Sequence, residues 1–116
     1  MRHHKKNRKF GRNKDRRKAL LISLTENLLI RGKIKTTLAR AKEVRPYIEK
    51  LITRGRLNSI GSNRLTMSRF NTDKARDKIL KLGRTIYAER KGGYTRITKL
   101  PNRLSDSSVM AMVELI

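Results

Sequence analysis

Residues 33–52 read Lys33-Ile34-Lys35-Thr36-Thr37-Leu38-Ala39-Arg40-Ala41-Lys42-Glu43-Val44-Arg45-Pro46-Tyr47-Ile48-Glu49-Lys50-Leu51-Ile52. The apolar period changes inside this stretch. Ile34, Thr36 and Leu38 alternate, the pattern of a half-buried strand. From Ala41 the repeat lengthens through Val44, Ile48, Leu51 and Ile52, while Lys42, Glu43, Glu49 and Lys50 take the opposite side of a helix. Thr37, at the switch, suits the N-cap position. Arg45 and Glu49 stand four apart, the spacing of an ion pair on a helix surface. Pro46 removes one helical donor, but the apolar period runs through it unbroken, so a kinked, continuous helix is expected. A strand feeding directly into a helix sets a mixed fold.

Upstream, Leu21, Leu24 and Leu28, with Ile22 and Leu29 beside them, mark a second helix. Asn13 or Asp15 caps its start and Gly32 stops it. Downstream, residues 54–63 hold two Gly, two Ser and two Asn and read as a loop. A short helix is expected over 64–70, with Leu65 and Phe70 inward. Another begins at Thr72 or Asp73, buries Ala75, Ile79 and Leu82, and ends at Gly83. Ile86 and Tyr87 then dock on the core. After Gly92-Gly93, residues 94–100 and 109–115 both alternate and are joined by a polar loop, an antiparallel hairpin. The expectation is an α+β fold: a single two-layer domain, a small three-stranded sheet packed against about four helices, with a basic extended N-terminal arm. Residues 1–14 form the arm and 15–116 the domain.

Charge sets the class of partner. The 116 residues include 31 Lys and Arg against 9 Asp and Glu, a net charge of +22. A globule this small repels itself at that charge, so it works beside something anionic. The cations run along the whole chain, which favours nucleic acid. Residues 1–18 contain ten Lys or Arg and one acid, Asp15, with little to bury, so this segment is expected to be disordered free in water. Against RNA, Arg2, His3, His4, Lys5, Lys6, Arg8, Lys9, Arg12, Asn13 and Lys14 would contact phosphate, Phe10 would stack on a base, and Gly11 would let the backbone turn sharply. Arg16 and Arg17 sit in a helical first turn, where cations oppose the macrodipole; a bound phosphate reverses that sign. Lys91, Gly92, Gly93, Tyr94, Arg96 and Lys99 form a second candidate phosphate contact, and Arg64 completes the RNA-binding set.

Other functions lack their chemistry. Without Cys there are no disulfides, zinc ribbons or cysteine nucleophiles. His3 and His4 have no third ligand type nearby, so no metal is expected. Asp73 and Asp77, four apart among Lys74, Arg76 and Lys78, read as salt-bridge partners and not as a magnesium site. No Walker A, GxSxG or GxGxxG motif occurs, so neither an enzyme nor a cofactor nor a small-molecule substrate is expected. No apolar run approaches a membrane span, and no signal peptide or membrane partner is expected. A nucleoid-type DNA-binding protein is the alternative, but a strand separates the two best helices and no helix-turn-helix is visible.

Several stretches also carry a resemblance: Met1-Arg2-His3 before a basic run, Ile34-Lys35-Thr36-Thr37-Leu38, Ala41-Lys42-Glu43-Val44-Arg45, Leu51-Ile52-Thr53, Gly92-Gly93-Tyr94-Thr95-Arg96-Ile97, and Met110-Ala111 before Val113-Glu114-Leu115. In this order and spacing the chain resembles the family of protein seventeen of the bacterial large ribosomal subunit. Ser105-Asp106-Ser107-Ser108-Val109 stands where that family commonly shows Gly-Asp followed by Ala-Pro, and the segment after Thr53 is short. The resemblance implies a structural role in the cytoplasmic ribosome. Large-subunit ribosomal RNA near the rim of the polypeptide exit region would be the partner, and neighbouring large-subunit proteins, including the small protein numbered thirty-two, would adjoin it. It also makes Lys35 and Arg45 candidate RNA contacts.

Overall fold

Asn13 begins the ordered helical chain: its side chain accepts from the Arg16 N–H at 2.9 Å. The helix it caps, α1, spans Lys14–Arg31 and ends at Gly32, whose φ of 81° lets its N–H return to the Leu28 carbonyl. The computed structural model describes residues 8–57 and 59–116. After Gly32 come β1 (Lys33–Thr37), α2 (Leu38–Arg56), α3 (Ile60–Ser68), α4 (Asp73–Arg84), β2 (Thr95–Leu100) and β3 (Met110–Leu115). Thr37 caps α2, Ser59 caps α3 and Thr72 caps α4. No helix among the described residues is long and apolar enough to cross a membrane.

The strand and helix predicted over residues 33–52 are both present, and α2 runs without a break through Pro46. The predicted hairpin forms too, and β3 lies between β1 and β2, antiparallel to both. Because paired residues share a face, Ile34, Ala111, Val113 and Ile97 look towards the helices. Lys33, Lys35, Met112, Glu114 and Arg96 look away from them. Helices α1 and α2 cover the inner face, and α4 and α3 pack on those helices. The result is one α+β domain around Leu28, Leu29, Val44, Ile48, Ile52, Phe70, Ile79, Tyr87 and Val113.

Packing changes several local readings. In α1 the buried set is Ile22, Thr25, Leu28 and Leu29, with Leu21 and Leu24 only partly covered. Thr25 is tolerated there because its hydroxyl donates to the Leu21 carbonyl at 2.7 Å. In α3, Thr66 goes inward by donating to the Ser62 carbonyl, and Leu65 is exposed against expectation. Phe70 is buried as expected. Tyr87 docks on the core, whereas Ile86 faces solvent. Residues 54–56 and 60–63 are helical, so the expected loop shrinks to the α2–α3 junction.

Gly55 and Gly83, read as loop and stop signals, lie inside α2 and α4 and are buried where the helices cross. A Cβ on Gly83 would stand 3.0 Å from the Gly55 carbonyl carbon and 3.2 Å from the Arg56 nitrogen, both main-chain atoms that cannot swing aside. A Cβ on Gly55 would meet only the Ile79 carbonyl oxygen, at 3.7 Å. Gly83→Ala should therefore destabilise the domain by about 1–3 kcal/mol through overpacking. Gly55→Ala should be neutral or stabilising by up to about 1 kcal/mol through helix propensity. Urea denaturation of the two variants checks the asymmetry; equal effects would mean that this crossing is not tight.

Candidate nucleic-acid interface

The arm enters the described structure at Arg8, whose guanidinium reaches Glu43 on α2 at 2.9 Å. Phe10 and Gly11 follow with φ of 53° and 62°, and the Arg12 N–H closes the turn on the Lys9 carbonyl at 3.1 Å. Gly11 thus serves the sharp turn read from the sequence. Phe10, half-buried, adopts a left-handed conformation that a bulky side chain takes only when held there. Arg12 donates to the Phe10 carbonyl at 2.8 Å, and Arg17 reaches back to the Arg12 carbonyl at 3.4 Å. From Arg8 onward the segment is folded back on α2. Arg2, His3, His4, Lys5 and Lys6 lie outside the described residues.

This return path puts Arg8 beside Lys42, along a groove of about 480 Å³ floored by Thr37, Leu38 and Val109. Lys9, Asn13, Lys14 and Arg16 are exposed, and Arg17 is half-buried. The first turn of α1 therefore presents Arg16 and Arg17 with only Asp15 to offset them.

The open sheet face gathers residues from separate motifs. Register sets Lys33, Glu114 and Arg96 in one row and Lys35, Met112 and Thr98 in the next. Arg96 lies 3.7 Å from Glu114, an exposed pair that leaves its outer nitrogens accessible. Lys33, which the sequence reading passed over, joins Lys35 and Arg96 through strand alternation. Lys99, also exposed, alternates to the opposite face near the strand end.

A third cluster surrounds the diglycine. Exposed Lys91 and Gly92 adjoin Lys50 and Arg54 of α2 across a groove of about 590 Å³. From the sequence Lys50 reads as an ordinary outer-face residue and Arg54 as part of a loop, because their proximity to Lys91 depends on a contact between distant segments. Gly93 has a φ of 64°, so the chain turns there into β2. Arg45 is exposed and forms the anticipated pair with Glu49 at 3.7 Å. Arg64 is exposed on α3, apart from these clusters. Asp73 pairs with Arg76 at 3.2 Å, while Asp77 has no ion-pair partner among the described residues.

Tyr94 is a correction. It is completely buried, its ring edge-on to Tyr87 with centroids 5.0 Å apart. Its hydroxyl donates to the Arg90 carbonyl and lies 3.3 Å from the Thr53 hydroxyl and 3.4 Å from Arg56. Tyr94 lies just before β2, outside the alternation that sets Arg96 on the open face, and its burial leaves it no surface to offer an RNA base. Arg56, missed by the sequence reading, anchors the 85–94 segment by also donating to the Ala88 carbonyl at 3.1 Å.

The cations are sparsely neutralised. Five ion pairs occur among the described residues, all made by Arg, which leaves the Lys ammonium groups outside any ion pair there. The described residues show no cluster of His and acidic groups arranged to hold a metal.

Comparison with known proteins gives the architecture an identity. A family profile described as Ribosomal protein L17 matches residues 20–116. The large ribosomal subunit protein bL17 of Akkermansia muciniphila is 45% identical over 116 residues, covering 100% of this chain and 85% of the relative. That of Gemmatimonas aurantiaca is 43% identical and 98% covered, and that of Fusobacterium nucleatum 42% identical and 100% covered. With a profile spanning most of the domain and relatives matching end to end, the chain belongs to the ribosomal protein L17 family, bacterial structural constituents of the large ribosomal subunit and not enzymes.

Proposed function

We propose that this chain binds ribosomal RNA of the large subunit in the cytoplasm through its arm, the first turn of α1 and the open sheet face. There it stabilises folded RNA near the rim of the polypeptide exit region. The carrying observation is the convergence of accessible cations on surfaces with few carboxylates: Arg8 with Lys42, Arg16 with Arg17, and Lys33 and Lys35 with Arg96. Each can neutralise closely packed phosphates and release counterions, so RNA segments that repel one another can approach. The folded domain holds Arg8 against α2 and so anchors the arm at that point. Neighbouring ribosomal proteins complete the environment, with the small protein numbered thirty-two as the proposed neighbour.

The first turn of α1 provides the test. Arg16→Ala with Arg17→Ala removes two charges from the positive end of a helix dipole and should leave the free domain as stable or up to about 1 kcal/mol more stable. The same change should weaken binding to large-subunit RNA and reduce the slope of log K against log salt by about 1–2. Thermal unfolding and a salt titration measure the two effects. A destabilised domain with unchanged binding would make these arginines structural, and indifference of the parent chain to ribosomal RNA at physiological ionic strength would overturn the function itself.

A further inference from the structure

Two residues that bring the free chain no benefit line the groove between α2 and the diglycine segment. Pro46 stands in the interior of α2, where it removes a helical donor and crowds the preceding turn, yet the helix carries it unbroken. Its ring is exposed in the groove. On the other wall, Gly92 has no internal reason to be glycine. A Cβ built there meets nothing within 4 Å, and its φ lies outside the left-handed region, unlike the 64° of Gly93. A bare backbone at Gly92 therefore serves something outside the chain that comes close. Along α2 and its C-cap, Pro46, Lys50, Arg54 and Leu57 step by three or four residues and so share one face. Leu57 leaves 67% of its surface open. Lys50, Arg54 and Lys91 take part in no ion pair among the described residues.

We infer that this groove seats one unstacked nucleotide of large-subunit RNA, its base against Pro46 and Leu57 and its flanking phosphates on Lys50, Arg54 and Lys91. The volume of about 590 Å³ is that of a small-molecule site and exceeds what a phosphate alone fills. The lining joins apolar surface to cations, and a nucleotide presents the same two chemistries. Proline and leucine offer surface to the ring, while the cations neutralise the charge that enters with it. Gly92 lets the sugar–phosphate backbone approach the main chain with no side chain between. Glu49, the one acid in the lining, is tied at one oxygen to the Thr95 hydroxyl at 2.9 Å. Its other oxygen can accept from an N–H on the base edge, a use for a carboxylate beside a polyanion. An apolar protein segment would instead cover three cations and bring them no counter-charge. The inference rests on the RNA-binding reading and adds to it a site beside α2, on the other side of the sheet from Lys33, Lys35 and Arg96.

Gly92→Ala and Pro46→Ala separate binding from folding, because the free chain needs neither residue. Both variants should melt at or above the parent midpoint, the first by restricting the unfolded chain and the second by restoring a helical donor. Both should bind purified large-subunit RNA at least about fivefold more weakly, as for a lost base contact. Base probing locates the occupant: the parent chain should shield an unpaired base from dimethyl sulfate or kethoxal, and Gly92→Ala should restore its reactivity. Parent-like affinity in either variant, or a lowered midpoint for Gly92→Ala, would overturn the inference. Shielding confined to the RNA backbone would do the same, since it would leave only a phosphate contact. So would a crosslink to another ribosomal protein from benzoylphenylalanine in place of Leu57 in assembled subunits. Failure of the parent chain to bind the RNA at all would instead count against the RNA-binding reading.

Discussion

Deleting residues 1–12 should flatten the salt dependence of RNA binding more than any other change to this protein. The segment carries Arg2, Lys5, Lys6, Arg8, Lys9 and Arg12. If each meets a phosphate, the slope of log K against log salt falls by about 4–5, and affinity at low salt drops by several orders of magnitude. The cut stops before Asn13 because that side chain caps α1; removing it as well would mix a folding defect into the measurement. Truncation breaks the Arg8–Glu43 pair, but with the Arg8 end open to solvent this single contact is worth about 1 kcal/mol or less, so thermal unfolding should move little. The decisive measurement is a salt titration of both chains on the same RNA. An unchanged slope would remove the arm from the mechanism and leave recognition to the domain surface.

Tyr94 is the second large lever, and it acts on folding. Tyr94→Ala should cost about 3–5 kcal/mol, because it empties a fully buried aromatic site and removes the partner ring of Tyr87. That is a large part of the roughly 5–15 kcal/mol that holds a small domain together. Tyr94→Phe keeps the ring and removes only the hydroxyl that links Arg90, Thr53 and Arg56, at a cost of about 1–2 kcal/mol. Denaturation midpoints give both values. The Phe variant also separates core from interface: a less stable domain with unaltered RNA affinity fits the buried position. Full stability with weakened binding would return Tyr94 to the RNA surface.

Tyr94 shows how far motif reading reaches. The diglycine, the strand after it and the cations Lys91 and Arg96 were legible from order and spacing. The inward turn of Tyr94 was not, because it stands just before β2, where strict alternation would set it on the Arg96 side, and only its contacts with Tyr87, Thr53 and Arg56 hold it inside. The open sheet face was legible only in part. Lys35 and Arg96 were named from separate segments, but their shared surface, and the addition of Lys33, depends on the pairing of β1 and β2 with β3. Lys50 and Arg54 likewise become partners of Lys91 only through the packing of α2 against a segment some forty residues downstream.

Gly55 and Gly83 make the same point in the core. A glycine in a polar stretch is a sound stop signal, and Gly32 acts as one, with a positive φ that frees the chain from α1. Gly83 instead stays helical inside α4 because a second helix packs against it, a fact encoded in distant residues.

What the linear order of amino acids determined alone was everything local or additive. Periodicity sets helix against strand, cap chemistry sets helix starts, and a charge of +22 demands an anionic setting because self-repulsion needs no fold to operate. The tertiary structure alone decided what depends on proximity between remote segments. It sent Tyr94 inward, closed α2 on α4 through two glycines, and aligned Lys33 and Lys35 with Arg96. Those outcomes depend on short-range packing and hydrogen bonds, which vanish within a few ångströms and exist only after the chain has brought its parts together.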